Sequence, residues 1–444
     1  MVAILATGNG RLTSNALTLR TAAWYGDRLV TVAVPASWQV TVLAPPSASA
    51  LTDAQISERC ESPVGQPPIR ELARGKARPL IIVDDLNRPT PAARVVPIIL
   101  KHLDDAGIPA RDVSIVMAPG THGAPRADAL VKKVGAKAAS SCRLFVHDSD
   151  RDLVRLGRTS FGTPVLVNKE IAGSDFVIGV GGLYPNWTAG FGGGSKLALG
   201  VLGFESIAWL HFGHRSTGWG TPNDQSNFRR DLDEIARRIG LQTTVSLLLN
   251  GDREVVDVVC GDPWTGYAPA LELVRTAFRA SAPAEGVDVV ISNAYPNDLS
   301  VTFVRMKGMR PVTAASARTS KVVVAACSEG VGFHGLFPMS ASTAQRRRLT
   351  ALKARILLRK PDQLLPKLLR RVGRPLRRRA PVQGTPIWLF RPEPAGAVAL
   401  PNQIGGINVS SSWEEIVAAV GREQGNRDPL RVAVYPCAAL QWLG

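Results

Sequence analysis

Residues 183–200 read LYPNWTAGFGGGSKLALG, with four glycines in the five positions 190–194, followed by Ser195 and Lys196. A lysine at the end of a glycine loop is a motif that can do chemistry. Glycine lets the backbone approach a ligand and take positive φ, and the amine can act as a charge or as a nucleophile. The familiar phosphate loops do not account for it. A P-loop needs glycine before the lysine and Ser or Thr after it, and here the neighbours are Ser195 and Leu197. The dinucleotide fingerprint fails as well, because Ser195 stands where its third glycine belongs. A flexible turn carrying a solvated lysine is the plain alternative.

Three further groups offer chemistry. DDLNRPTP (84–91) carries Asp85 and Arg88, and an arginine fork suits a carboxylate or phosphate. APGTHG (118–123) puts His122 in a glycine-flanked turn, where an imidazole can serve as a general base. SIAWLHFGH (206–214) spaces His211 and His214 three apart on a predicted helix, with imidazoles suited to nickel, zinc or copper. The plain readings are a helix start with a surface arginine, a structural loop histidine, and packed helix histidines.

The elements that would position these groups alternate between strand and helix. Strands are predicted at 79–85, 112–120, 143–148, 175–182 and 243–250, with helices at 92–107, from about 126, at 204–212 and at 228–240. After a linker near 280–286, strands follow at 287–293, 321–328, 385–390 and 431–436, and a helix at 411–423 capped by Ser412. This is an α/β pattern: two α/β domains with mainly parallel sheets and an active-site cleft between them. The expected boundaries are an extension over 1–25, a cofactor-binding domain over 26–280 and a second domain over 281–444.

The 444 residues are 45% hydrophobic and 20% charged, enough for a buried core and too ordered in composition for a disordered chain. Five scattered cysteines without a C-x-x-C fit a reducing cytoplasm. No apolar run is long enough to span a bilayer, and the opening residues lack the basic start and long apolar stretch of a secretory signal. The net charge of +17 is concentrated: residues 346–379 hold 14 Lys/Arg and one acid, which leaves the rest near +4. Leucines at helical spacing make this segment one or two basic amphipathic helices, inserted into the second domain. It could be a solvated insertion, a contact to nucleic acid or an anionic membrane, or a contact to an acidic ligand.

Taken in order, ELARGK (71–76), DDLNRPTP (84–91), GTHG (120–123), AGFGGGSK (189–196), AYPNDLSVTFVRMKGM (294–309) and PDQL (361–364) resemble the blocks of the nickel-dependent lactate racemases. The resemblance implies a nickel pincer nucleotide, a derivatised pyridinium mononucleotide, attached to Lys196. It makes His211 the protein ligand to nickel. Gly192, Gly193 and Gly194 would line the cofactor, and Asp85 and Arg88 would lie near cofactor or substrate. Lys307 would hold the substrate carboxylate. The implied reaction moves a hydride from the α-carbon of a 2-hydroxy acid while a base takes the hydroxyl proton, and the enzymes that build the cofactor become expected partners. The oligomeric state is left open.

His122 matches one of the family's two bases. Asn186 stands where the other belongs, and asparagine cannot take a proton at neutral pH. Thr302 or Phe303, and Leu364, stand in place of a family tyrosine and tryptophan. The resemblance therefore implies a racemase or epimerase of a 2-hydroxy acid other than lactate, with a water relayed by Asn186 as second base. The alternatives are a homologue that binds cofactor or performs one-sided redox without racemising, and a basic surface binder acting through 346–379.

Overall fold

The computed structural model describes residues 10–12, 14–45, 48–221, 226–339, 341–359, 384–392 and 396–444. Residues 360–379 of the basic run, and Leu364, lie outside them.

Two sheets organise the described residues. The first has six strands in the order Val255–Gly261, Leu241–Leu249, Phe176–Gly182, Pro79–Asp84, Ser114–Ala118, Arg143–Val146. All neighbours are parallel except the first pair. Its central strands are continuous apolar runs because both faces are covered. Ile81 and Val83 enter one core cluster, and Leu80 and Ile82 the other. The second sheet follows the same logic. Val289 and Ile291 face one cluster and Val290 the other. Its inner strands Trp38–Val42, Leu430–Tyr435, Val289–Asn293, Ser320–Val324, Ile387–Phe390 and Ile407–Ser410 run parallel, with short antiparallel strands at both edges. The mainly parallel α/β expectation holds.

One expectation changes. The sequence groups residues 26–42 with the first half of the chain, yet Trp38–Val42 pairs in parallel with Leu430–Tyr435 in the second sheet. Ala16–Thr21 and Arg28–Ala33 form a hairpin whose Leu17, Leu19 and Val32 pack into that sheet's core. The alternation Trp38-x-Val40-x-Val42 marks a strand, but period two does not say which edge it will join. Asp298 anchors this hairpin by accepting from the backbone N–H of Ala22 at 2.7 Å, and Asn297 reaches the loop after Pro79–Asp84 by donating to the Asn87 carbonyl at 2.7 Å.

The basic segment begins as a helix, Thr343–Leu358, capped by Ser342, which accepts from Gln345 N–H at 3.1 Å. Its Leu349 and Ile356 are buried against the helix Phe204–Gly213. Arg348 pairs with Asp150 and Arg355 with Glu205, each at 2.6 Å. Two of its charges are thus engaged with the protein's own acids. No described helix is long and apolar enough to cross a membrane.

Candidate active site

Strand ends of both sheets converge on a cavity of about 710 Å³. From the first sheet come Asp84, Asp85 and Arg88, the loop 119–122, and Gly182, Tyr184 and Asn186. From the second come Thr302, Phe303, Lys307 and His334. Loops at the carboxyl ends of parallel strands are where such folds bind ligands.

Asp84 and Asp85 leave adjacent positions of one strand end and meet different partners. Asp84 accepts from the buried amine of Lys133 at 2.7 Å and from the Thr90 hydroxyl at 2.7 Å. Asp85 accepts from His122 Nδ1–H at 3.0 Å and from the Asn87 amide at 2.6 Å. Burial opposes the charge on Asp85, but His122, Arg88 and Asn87 together hold its carboxyl well below the usual range. With Nδ1–H committed to a carboxylate, the other nitrogen of His122 is a lone pair that opens onto the cavity. Burial lowers the His122 pKa, against the raising effect of Asp85, so the ring is a neutral acceptor near neutral pH. Sequence reading found both residues but not their pairing, which depends on the neighbouring parallel strands ending side by side.

Lys196 sits in the short helical segment Gly194–Val201. Its amine has no ion-pair partner among the described residues. Burial first, then Arg88 and Arg229, bring its pKa down to about 7. His211 lies on the helix Phe204–Gly213 and donates Nδ1–H to the Ile207 carbonyl at 2.7 Å. Burial, with Lys196 and His122 nearby, brings its pKa down to about 4 against that bond. A neutral imidazole whose first nitrogen is fixed by a carbonyl presents its second as a metal ligand. His214, three residues on, turns away: its Nε2 bonds Asp231 at 2.7 Å, which removes it as a second ligand. Among the described residues no group of three or more His, Cys, Asp or Glu could hold a metal ion.

The glycine loop is shaped by its own packing. A Cβ on Gly192 would meet the Gly182 carbonyl at 2.7 Å, and one on Gly193, at φ +74°, would meet Leu183 at 2.7 Å. Both residues still line the cavity. Gly194 does not; its missing side chain faces Tyr267 and Pro263 instead. The expectation for Gly194 therefore needs correction, since it lies off the cavity; at Gly192 and Gly193 the missing Cβ also lets the loop press against the strand end that carries it. Asn186 is buried, and its amide oxygen accepts from the N–H groups of Thr188 and Ala189 at 3.0 and 3.1 Å. Its oxygen is spent on closing the turn before Gly190, which leaves it an N–H₂ donor and no acceptor for a water relay.

Lys307 comes from a single π-helical turn, Val304–Gly308. It is 5% exposed, and its amine has no hydrogen-bond partner among the described residues. It lies over two ring faces, Trp219 at 4.8 Å and Tyr184 at 5.8 Å to the centroid. Burial, then Arg88, Lys196 and Arg310, hold its pKa well below the ordinary value. A buried unpaired ammonium is costly unless an anion arrives.

His334 was not singled out from the sequence. It is buried, lines the same cavity, and its ring centroid lies 5.1 Å from that of His122. A signal existed: GVGFHGLFP (330–338) is a glycine-flanked histidine after a strand, as APGTHG is. Phe303 and Thr302 both line the cavity.

Residues 25–220 match the family model for the lactate racemase N-terminal domain. The lactate racemase of Lactiplantibacillus plantarum is 28% identical over 291 residues, covering 64% of this chain and 68% of that protein. The lactate racemase of Thermoanaerobacterium thermosaccharolyticum is 24% identical over 291 residues, covering 64% and 67%. The solved structure of the lactate racemase apoprotein from Thermoanaerobacterium thermosaccharolyticum shares the fold, with a TM-score of 0.67 at 19% identity over 96% of this chain and 100% of that one. Together these matches make the chain similar to the lactate racemases, with residues 25–220 matching their N-terminal domain and the fold shared along nearly the whole chain.

Proposed function

We propose that the chain is an isomerase that racemises or epimerises a 2-hydroxy acid other than lactate. The supporting observation is charge and chemistry in one cavity: Arg88, Lys196 and Lys307 have no ion-pair partner among the described residues, burial and mutual repulsion disfavour the charged form of both lysines until an anion binds, and Asp84 and Asp85 are already committed. Such a cavity asks for anions, and a phosphorylated cofactor with a carboxylate substrate supplies them.

The residues fit the family's nickel pincer nucleotide in two respects. Lys196 offers an amine with its pKa lowered to about 7, and His211 offers one imidazole nitrogen fixed as a ligand. When bound at Lys196, that group would supply the centre that accepts and returns the hydride. His122 takes the hydroxyl proton at Nε2, and Asp85 holds its ring and favours the imidazolium that forms. Lys307 and Arg88 bind the carboxylate. Trp219 and Tyr184 keep water from the Lys307 amine. Phe303, Phe337, Met306 and Met339 give the cavity an apolar wall, which favours a side chain larger than the methyl of lactate.

The engaged oxygen of Asn186 favours a second reading, a homologue that binds the cofactor or oxidises one enantiomer without inverting it. Chiral chromatography separates the two. Protein co-expressed with cofactor-making enzymes is incubated with single enantiomers of a panel of 2-hydroxy acids. Appearance of the opposite enantiomer supports the isomerase. A keto acid with no inverted product, or no change across the panel, overturns it.

A further inference from the structure

Of the three imidazoles that line the cavity, His122 and His334 are given opposite polarity by their fixed hydrogen bonds. His122 donates Nδ1–H to Asp85, so its Nε2 accepts. His334 accepts at Nδ1 from the backbone N–H of Leu336 at 3.2 Å. A neutral imidazole carries one proton, so that of His334 is on Nε2. This Nε2–H has no protein partner among the described residues, and the ring that carries it lines the cavity. Buried donors are nearly always satisfied, so one that opens onto a cavity marks a place for a ligand acceptor.

The ring is held there deliberately. Phe303 stacks beside it at 6.0 Å and 29°, and Phe337 meets it edge-on at 5.1 Å. The Gly335 N–H donates to the Thr121 carbonyl at 2.7 Å, which ties the His334 loop to the His122 loop. A Cβ at Gly335 would press on Phe204 and Thr121 at 3.1–3.2 Å, so glycine permits that approach. The two rings lie 5.1 Å apart centroid to centroid, which brings both within reach of one bound substrate.

We propose that His334 is a substrate-binding residue whose Nε2–H donates to the 2-oxygen of the substrate, opposite the acceptor nitrogen of His122. It rests on reading the cavity as a 2-hydroxy acid site. In this arrangement His122 moves the proton, and His334 holds the oxygen as it changes from hydroxyl to carbonyl. A donor at that oxygen gains strength as the oxygen gains negative charge.

The test compares two probes that differ only at the 2-oxygen, 2-oxo-4-methylpentanoate and 4-methylpentanoate, by calorimetry on the full chain. Wild type should bind the oxo acid roughly three- to tenfold more tightly. His334→Phe should lose this preference and bind 4-methylpentanoate unchanged, and His334→Gln, which keeps an N–H donor, should regain part of it. No preference in wild type, or an unchanged preference in His334→Phe, overturns the proposal. Nitrogen-15 shifts of the wild-type ring give a reading that needs no variant: a bare Nδ1 with Nε2–H is expected, and Nδ1–H overturns it. Absence of racemisation alongside a His334-dependent preference sinks the isomerase reading but leaves this one standing. Racemisation with a preference indifferent to His334 sinks this one alone.

Discussion

The two walls of the cavity are finished to different degrees. On the strand-end wall, Asp84 has the Lys133 amine and Asp85 has the His122 ring, each within 3.0 Å. Lys133 is fully buried, also donates to the carbonyls of Arg88 and Thr90, and lies over the Trp24 ring at 4.6 Å. Across the cavity, Lys307 is also buried and has no hydrogen-bond partner among the described residues. Folding completes the first wall; under the proposed function a bound anion completes the second. On that reading the same side-chain type serves stability in one place and binding in the other, and burial alone does not distinguish the two.

The largest effect should fall on the base. His122→Ala is expected to lower turnover about 10²–10⁴-fold, measured on cofactor-loaded protein. Asp85→Asn should cause a smaller fall and move the acid limb of the pH profile. Because Asp85 raises the His122 pKa, its loss lets burial lower that pKa further. The neutral base then persists to lower pH, and the limb moves down; a limb that moves up would break the pairing argument.

The next contrast sets the two buried lysines against each other. Lys133→Met should destabilise the fold by about 3–5 kcal/mol in denaturant titration, since it strands the Asp84 carboxylate. Lys307→Met should cause no such loss, yet weaken binding of a 2-hydroxy acid about ten- to hundredfold. Equal destabilisation by both would erase the distinction between the walls.

The smallest effect is a pH signature of Lys196. Its folded pKa of about 7 lies below the ordinary 10.5. As pH falls from 10.5 towards 7, the unfolded chain takes the proton first, so wild type loses stability across that window and no more below it. Lys196→Met should therefore be more stable than wild type at pH 6–7, with the gain shrinking as pH rises to 10.5. A difference independent of pH would contradict the uncompensated burial of this amine.

Much of the first wall's raw material was legible in the sequence. Asp85, Arg88, His122, Lys196 and His211 stand just after predicted strands or on the helix that follows, and all line the one cavity. Their partners were not legible. The His122–Asp85 bond depends on strand register, and Lys133 reaches Asp84 across 49 positions. His211 and His214 share helical spacing, but only the fold shows that Asp231 claims the second. The strand Trp38–Val42 is plain as a strand and silent about its sheet. His334 shows the opposite failure: its glycine-flanked position after a strand was readable, and the same reasoning that selected His122 would have selected it.

The proposed function requires Lys196 and His211 together to receive one covalently tethered group in this cavity. Intact-mass measurement and peptide mapping decide this, on wild type and Lys196→Ala co-expressed with cofactor-making enzymes, in cells whose extracts are shown by mass spectrometry to contain the free cofactor. An added mass is expected on the wild-type peptide that contains Lys196 and none on the variant. An unmodified wild-type chain from cells that make the cofactor would contradict the proposal.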